Sequence, residues 1–388
     1  MEQALQGIKV VDFSKWLPGQ YCGMVLADYG ADVIKLESPQ GDPNRAFDPH
    51  LAPGQSSWNL ALNRNKRGVS VNLKTAEGRE VVRRLLREAD VFLEGFRPGY
   101  LAAKGLGWDE MHALNPRLIY CSITGFGQTG KYSHKPAHDL NIVGLAGMDF
   151  LADKGKPAVS EVQVSALGGS LNAVAAISMA LVARERTGGG QYIDISLYNT
   201  ALGLQIVSAA AILGCRAAGG RPFGRRAPYY DVYRTKDGNY ISLGTIEPKF
   251  WSLFCEAAGL PELKDRQYDF AHEAEITEKL TRAIAAKTRA EWVALTGGGE
   301  DCVTPVYSLD EALDTEWTKE SGMLETRTEE LHGTACDITY LKPAMRLSAT
   351  PGRIRRRAPY VGEDNQEVLR ALGYRDEEID ALREKGAI

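Results

Sequence analysis

Closely spaced cysteines are missing from this chain. The six present, Cys22, Cys121, Cys215, Cys255, Cys302 and Cys336, lie far apart, so the paired spacing of a structural zinc site or a redox dithiol is absent. We expect reduced, buried thiols and no metal. A basic cluster followed by an apolar run is missing from Met1 to Gly7, and no secretory signal is expected. The longest apolar stretches, Leu171 to Ala183 and Thr200 to Gly214, are interrupted by Asn172, Ser178, Gln205 and Ser208 and read as too short to cross a bilayer. No strong excess of one charge exists either, since 46 Lys and Arg against 50 Asp and Glu leave a net charge of −4. Nucleic acid and membrane are therefore not expected as partners, and the cytoplasm is the default compartment. What the chain does have is length. Its 388 residues, 44% hydrophobic, suffice for two domains with cores that need no staple.

The first half alternates β-branched runs with helical patterns. Ile8 to Phe13, Ala31 to Glu37, Val69 to Leu73, Asp90 to Leu93 and Leu118 to Ile123 read as buried strands, with amphipathic helices over Gly19 to Tyr29 and Thr75 to Glu88. Such alternation predicts an α/β, Rossmann-like large domain with a mostly parallel sheet. A helix over Leu167 to Arg186 ends at the glycines 188 to 190, and a strand, Gln191 to Ser196, follows. The glycine-rich, basic stretch Gly219 to Arg226 reads as an interdomain connection. Beyond it lie a hairpin, Tyr229 to Arg234 with Asn239 to Leu243, and several helices to about Leu324. The tail, with two short strands from about Asp337 and two helices, is expected to pack back on the first domain. The domains expected are thus 1–218 plus 326–388, and a linker with a smaller α+β domain over 219–325.

Several motifs carry chemistry, each beside a plainer explanation. Gly125 to Gly130 has the letters of the dinucleotide fingerprint, but Lys131 to Pro136 reads as a loop where a helix N-terminus must follow, so NAD is not expected and a glycine turn beside another ligand is. Asn63 to Arg67 followed by Lys74 is either a solvated basic face or a landing site for phosphates. Arg97, in Phe96-Arg97-Pro98-Gly99 at a strand's carboxyl end, lies where α/β sheets hold ligands. His138-Asp139 opens a helical pattern, with Asp139 as its cap and His138 structural, or with His138 moving protons. Glu247 beside Pro248 is a good helix start, or a substrate partner in the interdomain cleft. No Gly-x-Ser-x-Gly elbow exists for a serine hydrolase.

Taken together, these stretches resemble the class III CoA-transferases, the family of carnitine dehydratase, bile acid-inducible protein F, formyl-CoA transferase and α-methylacyl-CoA racemase. The marks are Gly7 to Phe13, Gly30 to Glu37, Asn65-Lys66-Arg67, Phe96-Arg97-Pro98-Gly99, Asn115 to Tyr120, Gly125 to Gly130, Arg184 to Gly188 and Cys302 to Val306. The resemblance covers nearly the whole chain. It implies an acyl-CoA substrate with a carboxylic acid acceptor, and an interlocked homodimer whose crossing segments lie near Gly219 to Arg226 and Gly352 to Pro359. By the same analogy, CoA contacts fall at Trp16, Leu17, Pro18, Lys66, Arg67, Val71, Lys74, Gly95, Phe96, Arg97 and Lys135.

In the transferases of this family an Asp attacks the acyl-CoA and then carries CoA as an enzyme thioester. Aligned through Val162-Gln163 that position is Ala166, and aligned through Gly168-Gly169 it is Ser165. Neither is an acid. A serine needs a base beside it and yields at best an acyl ester that does not pass CoA on. In the racemases a His pairs with the same Asp across the α-carbon; His138 matches that His, while the opposing base is missing. Three readings follow. The chain binds acyl-CoA without its own nucleophile, alone or in a heteromer with an Asp-bearing homologous subunit. Alternatively it is a lyase or isomerase using His138 with Asp139 or Glu247, or a CoA-binding regulatory protein.

Overall fold

The computed structural model describes residues 3–148, 160–220, 227–296 and 301–388. The chain divides into two compact units, Met1–Ile206 with Met323–Ile388, and Val207–Gly322; the sequence reading set these changes at 219 and 326.

The first unit runs β1 (Lys9–Phe13), α1 (Trp16–Asp28), β2 (Asp32–Glu37), a small hairpin of β3 (His50–Ala52) and β4 (Gln55–Ser56), α2 (Ser57–Asn63), β5 (Arg67–Ser70), α3 (Ala76–Glu88), β6 (Val91–Glu94), α4 (Trp108–Leu114), β7 (Ile119–Thr124), α5 (Asp139–Leu145), α6 (Val164–Thr187), β8 (Tyr192–Ser196) and α7 (Leu197–Gly203). Six strands form one sheet in the order β5-β2-β1-β6-β7-β8, and every pairing is parallel. The order reverses direction between β1 and β6, the switch point where the loops beyond the strands' carboxyl ends diverge and leave a crevice.

Alternation along each strand feeds a core on both faces of the sheet. Val11 and Phe13 join Val81, Val82, Leu85 and Leu86 of α3, while Val10 joins Leu26 of α1 and Ala173, Ile177 and Ala180 of α6. Helix α3 shows why the local sequence suffices. Thr75 caps it by accepting the Gly78 N–H, and its buried residues recur on one stripe, each large one worth about 1.5–3 kcal/mol when fully buried.

Helix α6 departs from the expectation of short, interrupted apolar runs, because it continues for 24 residues and contains an 18-residue stretch with a mean hydropathy of 1.7, enough by length and composition for a membrane span. Its small residues Ser165, Ala166, Gly169, Ser170 and Ala173 are buried, and a Cβ at Gly169 would stand 2.3 Å from Leu197 Cδ2. That close approach makes one face of α6 part of the core.

The second unit contains α8 (Ile206–Ala218, its first residue still in the first unit), β9 (Tyr230–Arg234), β10 (Tyr240–Gly244), α9 (Pro248–Ala257), α10 (Glu273–Ile284), α11 (Arg289–Thr296), β11 (Val303–Val306), α12 (Leu309–Asp314) and α13 (Glu316–Ser321). Its antiparallel sheet, β11-β10-β9, packs on Trp251, Phe254, Leu280 and Trp292. Both indoles are satisfied, Trp251 by the Leu263 carbonyl at 2.8 Å and Trp292 by the Ile284 carbonyl at 3.0 Å.

The chain then returns through β12 (Leu324–Leu331), β13 (Thr334–Leu341), α14 (Asn365–Ala371) and α15 (Asp376–Glu384). Two strands of eight residues replace the short pair expected from Asp337; the polar face of β12, with Glu325, Arg327 and Glu329, hides its period. The expected linker residues Arg221, Arg225 and Arg226 lie outside the described residues. Cys302 is exposed and Cys215 and Cys336 are half-buried, so only three of the six thiols are buried as expected.

Candidate active site

A cavity of about 960 Å³ opens at the switch point. Lys15, Trp16, Leu17 and Pro18 follow β1 into it, Gly95, Phe96 and Arg97 follow β6, and Thr124 and Gly125 end β7. Lys135, His138, Asp139 and Asn141 enter from the start of α5, Gln163 and Ala166 from the head of α6, and Asn44, Phe47 and Trp58 from the excursion between β2 and β5.

His138 takes the role of a plain helix start, and Asp139 does not. His138 is the N-cap residue of α5, with its N–H on Asn141 Oδ1 at 3.0 Å and its ring edge-on to Trp16, centroids 6.0 Å apart. Asp139, the first helical residue, turns its carboxylate away to the head of α6. There Oδ1 accepts the Ser165 hydroxyl at 2.5 Å and the Ala166 N–H at 3.0 Å. An anion at this end of a 24-residue helix satisfies one of its orphan donors and faces the positive end of its dipole. Asp139 is the only carboxylate among the described residues that line the cavity, and its Oδ2 has no hydrogen-bond partner among the described residues. Ser165 is fully buried behind it. Ser170 Oγ ties α6 to the Pro18 carbonyl at 2.6 Å, which fixes this assembly against the turn after β1.

Lys66 and Arg67 of the basic run are spent on ion pairs with the rest of the fold. Lys66 is enclosed, its Nζ on Asp12 Oδ2 and the Gln20 carbonyl at 2.8 Å and on Asn63 Oδ1 at 2.9 Å. Burial pushes the Asp12 carboxyl up, but Lys66 and Lys35 outweigh it and hold it below the ordinary value. Arg67 grips Asp32 at 2.6 and 3.0 Å and Glu367 at 3.1 Å, Val71 is in the core and Lys74 is exposed. None of these four lines the cavity. Glu247 is the exposed N-cap residue of α9 in the second unit. The glycine turn leaves its strand as expected, yet the Gln128 N–H is taken by Asp194 Oδ2 at 2.9 Å, and no helix begins until Asp139.

The sequence reading missed Asn44, Phe47, Trp58 and Glu94. Asn44 and Phe47 sit in the excursion between β2 and β3 and Trp58 in the short helix α2, where no long periodicity marks them. Glu94, at the end of β6, accepts the Phe96 N–H at 2.7 Å and so shapes the turn that presents Phe96 and Arg97. Burial raises its carboxyl from 4.5 to about 7. Between those values the folded protein holds a proton that the unfolded chain has released, so folding stability falls as pH rises through that window. Glu94→Gln keeps an acceptor for Phe96 and is expected to flatten this slope, read as thermal midpoints across pH 5 to 8.

The model of CoA-transferase family III matches residues 5–365. The chain belongs to CoA-transferase family III. Human alpha-methylacyl-CoA racemase is 35% identical, covering 98% of this chain and 96% of that protein. The beta subunit of succinyl-CoA–L-malate CoA-transferase from Chloroflexus aurantiacus is 33% identical over 99% and 98% of the two chains. Among solved structures, a CAIB/BAIF family protein from Brucella suis superposes with a TM-score of 0.81 at 31% identity, covering 96% of this chain and all of that one. CoA-transferase family III membership implies a CoA thioester and a carboxylate as substrates.

Proposed function

We propose that this family III chain takes an acyl-CoA into the switch-point cavity and transfers CoA to a carboxylic acid, with Asp139 as the attacking carboxylate. The position the family gives to that carboxylate, Ser165 or Ala166, has become its anchor. One observation carries the reading. Among the described residues, Asp139 is the cavity's only carboxylate, pinned through Oδ1 to those two residues and with no partner on Oδ2. In the step proposed, Oδ2 bonds to the thioester carbonyl carbon, the carbon–sulfur bond breaks, and the thiolate leaves with the electron pair. The thiolate then attacks the Asp139 carbonyl, releasing the first carboxylate and leaving CoA as a thioester on Asp139. The acceptor acid reverses both steps. Mass spectrometry after incubation with acyl-CoA and hydroxylamine or borohydride tests this, with the modification expected on the peptide bearing Asp139.

Arg97, exposed at the cavity mouth, and Lys135 and Lys15 are the cations offered to the CoA phosphates. Arg97→Ala is expected to weaken CoA binding roughly ten- to a hundredfold by calorimetry, the worth of a charge-assisted contact; unchanged affinity would place the phosphates elsewhere.

A second reading is favoured by one relative, the beta subunit of a CoA-transferase. In it the chain is the acyl-CoA-binding partner of an Asp-bearing homologous subunit. Self-association into an interlocked dimer has support in α8, where no residue is buried and Ile206, Val207 and Leu213 are mostly exposed. Native mass spectrometry separates homomer from heteromer. Six free thiols fit a reducing compartment such as the cytoplasm. Isomerisation through His138, suggested by the racemase relative, would appear as exchange of the acyl α-proton in deuterated water.

A further inference from the structure

We infer that the acyl part of the thioester is an uncharged aryl group, seated on a wall of three rings, Trp16, Phe47 and Trp58. This rests on the acyl-CoA reading of the cavity and adds the substrate class. The rings line the cavity and are left 41%, 39% and 37% exposed, although large apolar rings gain from being covered. They touch in series, with centroids 6.1 Å apart for Trp16 and Phe47 and 5.4 Å for Phe47 and Trp58, so together they form one continuous surface. Its position follows from His138, whose ring meets Trp16 and whose chain neighbour is Asp139. The wall therefore adjoins the carbon that Asp139 would attack, where the acyl group must lie.

Backbone strain marks the same place. Trp16 has φ +63°, a region that bulky residues avoid and that is held where function requires it. Charge then decides the class. The ring faces carry negative potential, and among the described residues no cation stands over any of the three rings. Lys15 stands over the Phe96 ring at 5.6 Å, and Arg45, two residues before Phe47, is locked on Glu37 at 2.8 and 2.6 Å. A second carboxylate on the acyl group would lie unpaired against π faces, whereas an aryl ring gains offset or edge contacts.

Calorimetric titration with free CoA, acetyl-CoA, succinyl-CoA and phenylacetyl-CoA tests the inference. Phenylacetyl-CoA is expected to bind at least tenfold tighter than succinyl-CoA. Trp58→Ala is expected to lower the ratio of phenylacetyl-CoA to free CoA affinity about tenfold, with Trp58→Phe restoring most of it, the melting temperatures confirming that both variants fold. Equal affinity for succinyl-CoA overturns the inference. So does an equal loss for free CoA in Trp58→Ala, which would seat the adenine on the wall. Both of those outcomes leave the acyl-CoA reading standing, while failure of every CoA species to bind removes both.

Discussion

Asp139→Asn, nearly the same shape without the charge, is expected to lower CoA transfer by on the order of 10³-fold or more, as loss of a covalent carboxylate does. The covalent CoA adduct should vanish with it. The amide can still accept from Ser165 and Ala166 through its oxygen, so the head of α6 keeps its partner and the melting temperature should change little. That split between activity and stability distinguishes a nucleophile from a structural anchor. If Asp139→Asn transfers CoA as fast as the parent, the reading of Asp139 fails. Ser165→Asp supplies the opposite measurement. Should the chain instead be a partner that lost its own nucleophile, restoring the acid at Ser165 or Ala166 raises transfer sharply, and Asp139→Asn leaves it unaffected. Exchange of an α-proton that is lost in His138→Ala would point to isomerisation.

The second large effect concerns stability. Asp12→Asn is expected to cost about 3–5 kcal/mol in chemical denaturation, because removing one member of a buried ion pair leaves the other charge without compensation. Here Lys66 loses its carboxylate, and Lys35 keeps only Asp42. Lys66 Nζ sits 2.8 Å from Asp12 in a fully buried site, and Lys35, whose ammonium reaches the Ser14 carbonyl and stands 3.9 Å from Asp42, is buried beside it. The double change Asp12→Asn with Lys66→Met should recover much of the loss. The same pair sets an acid limit. With the folded-state value below 3.8, the ionised carboxylate stabilises the fold above that value, and its contribution disappears as pH falls through the lowered one. Because Asp12 Oδ1 also receives the Ser14 N–H and hydroxyl, two residues before Trp16, its loss should loosen the cavity wall. Aryl-CoA affinity should fall along with stability.

The basic run is where sequence reading and structure diverge most. Lys66 and Arg67 are adjacent and cationic, and charge alone cannot tell a phosphate site from an internal pair. Their partners Asp12, Asp32 and Glu367 are 54, 35 and 300 residues away, a separation only the folded sheet closes. Arg97 was legible because it directly follows a strand whose apolar run was clear. His138-Asp139 was legible as a pair, but its assignment as a cap had the wrong helix, since the carboxylate serves α6, 26 and 27 residues on.

By itself the sequence determined the alternation of strands and helices, the parallel character of the sheet, the place of the glycine turn, and the family. These are short-range facts, set by side-chain period, capping and turn chemistry. Only the tertiary structure decided which charges are spent in the interior, that Asp139 is the one acid among the described residues of the cavity, and that Trp16, Phe47 and Trp58 form one wall. Each depends on packing between segments distant in the chain, where burial and distance rather than residue type fix what a side chain can do.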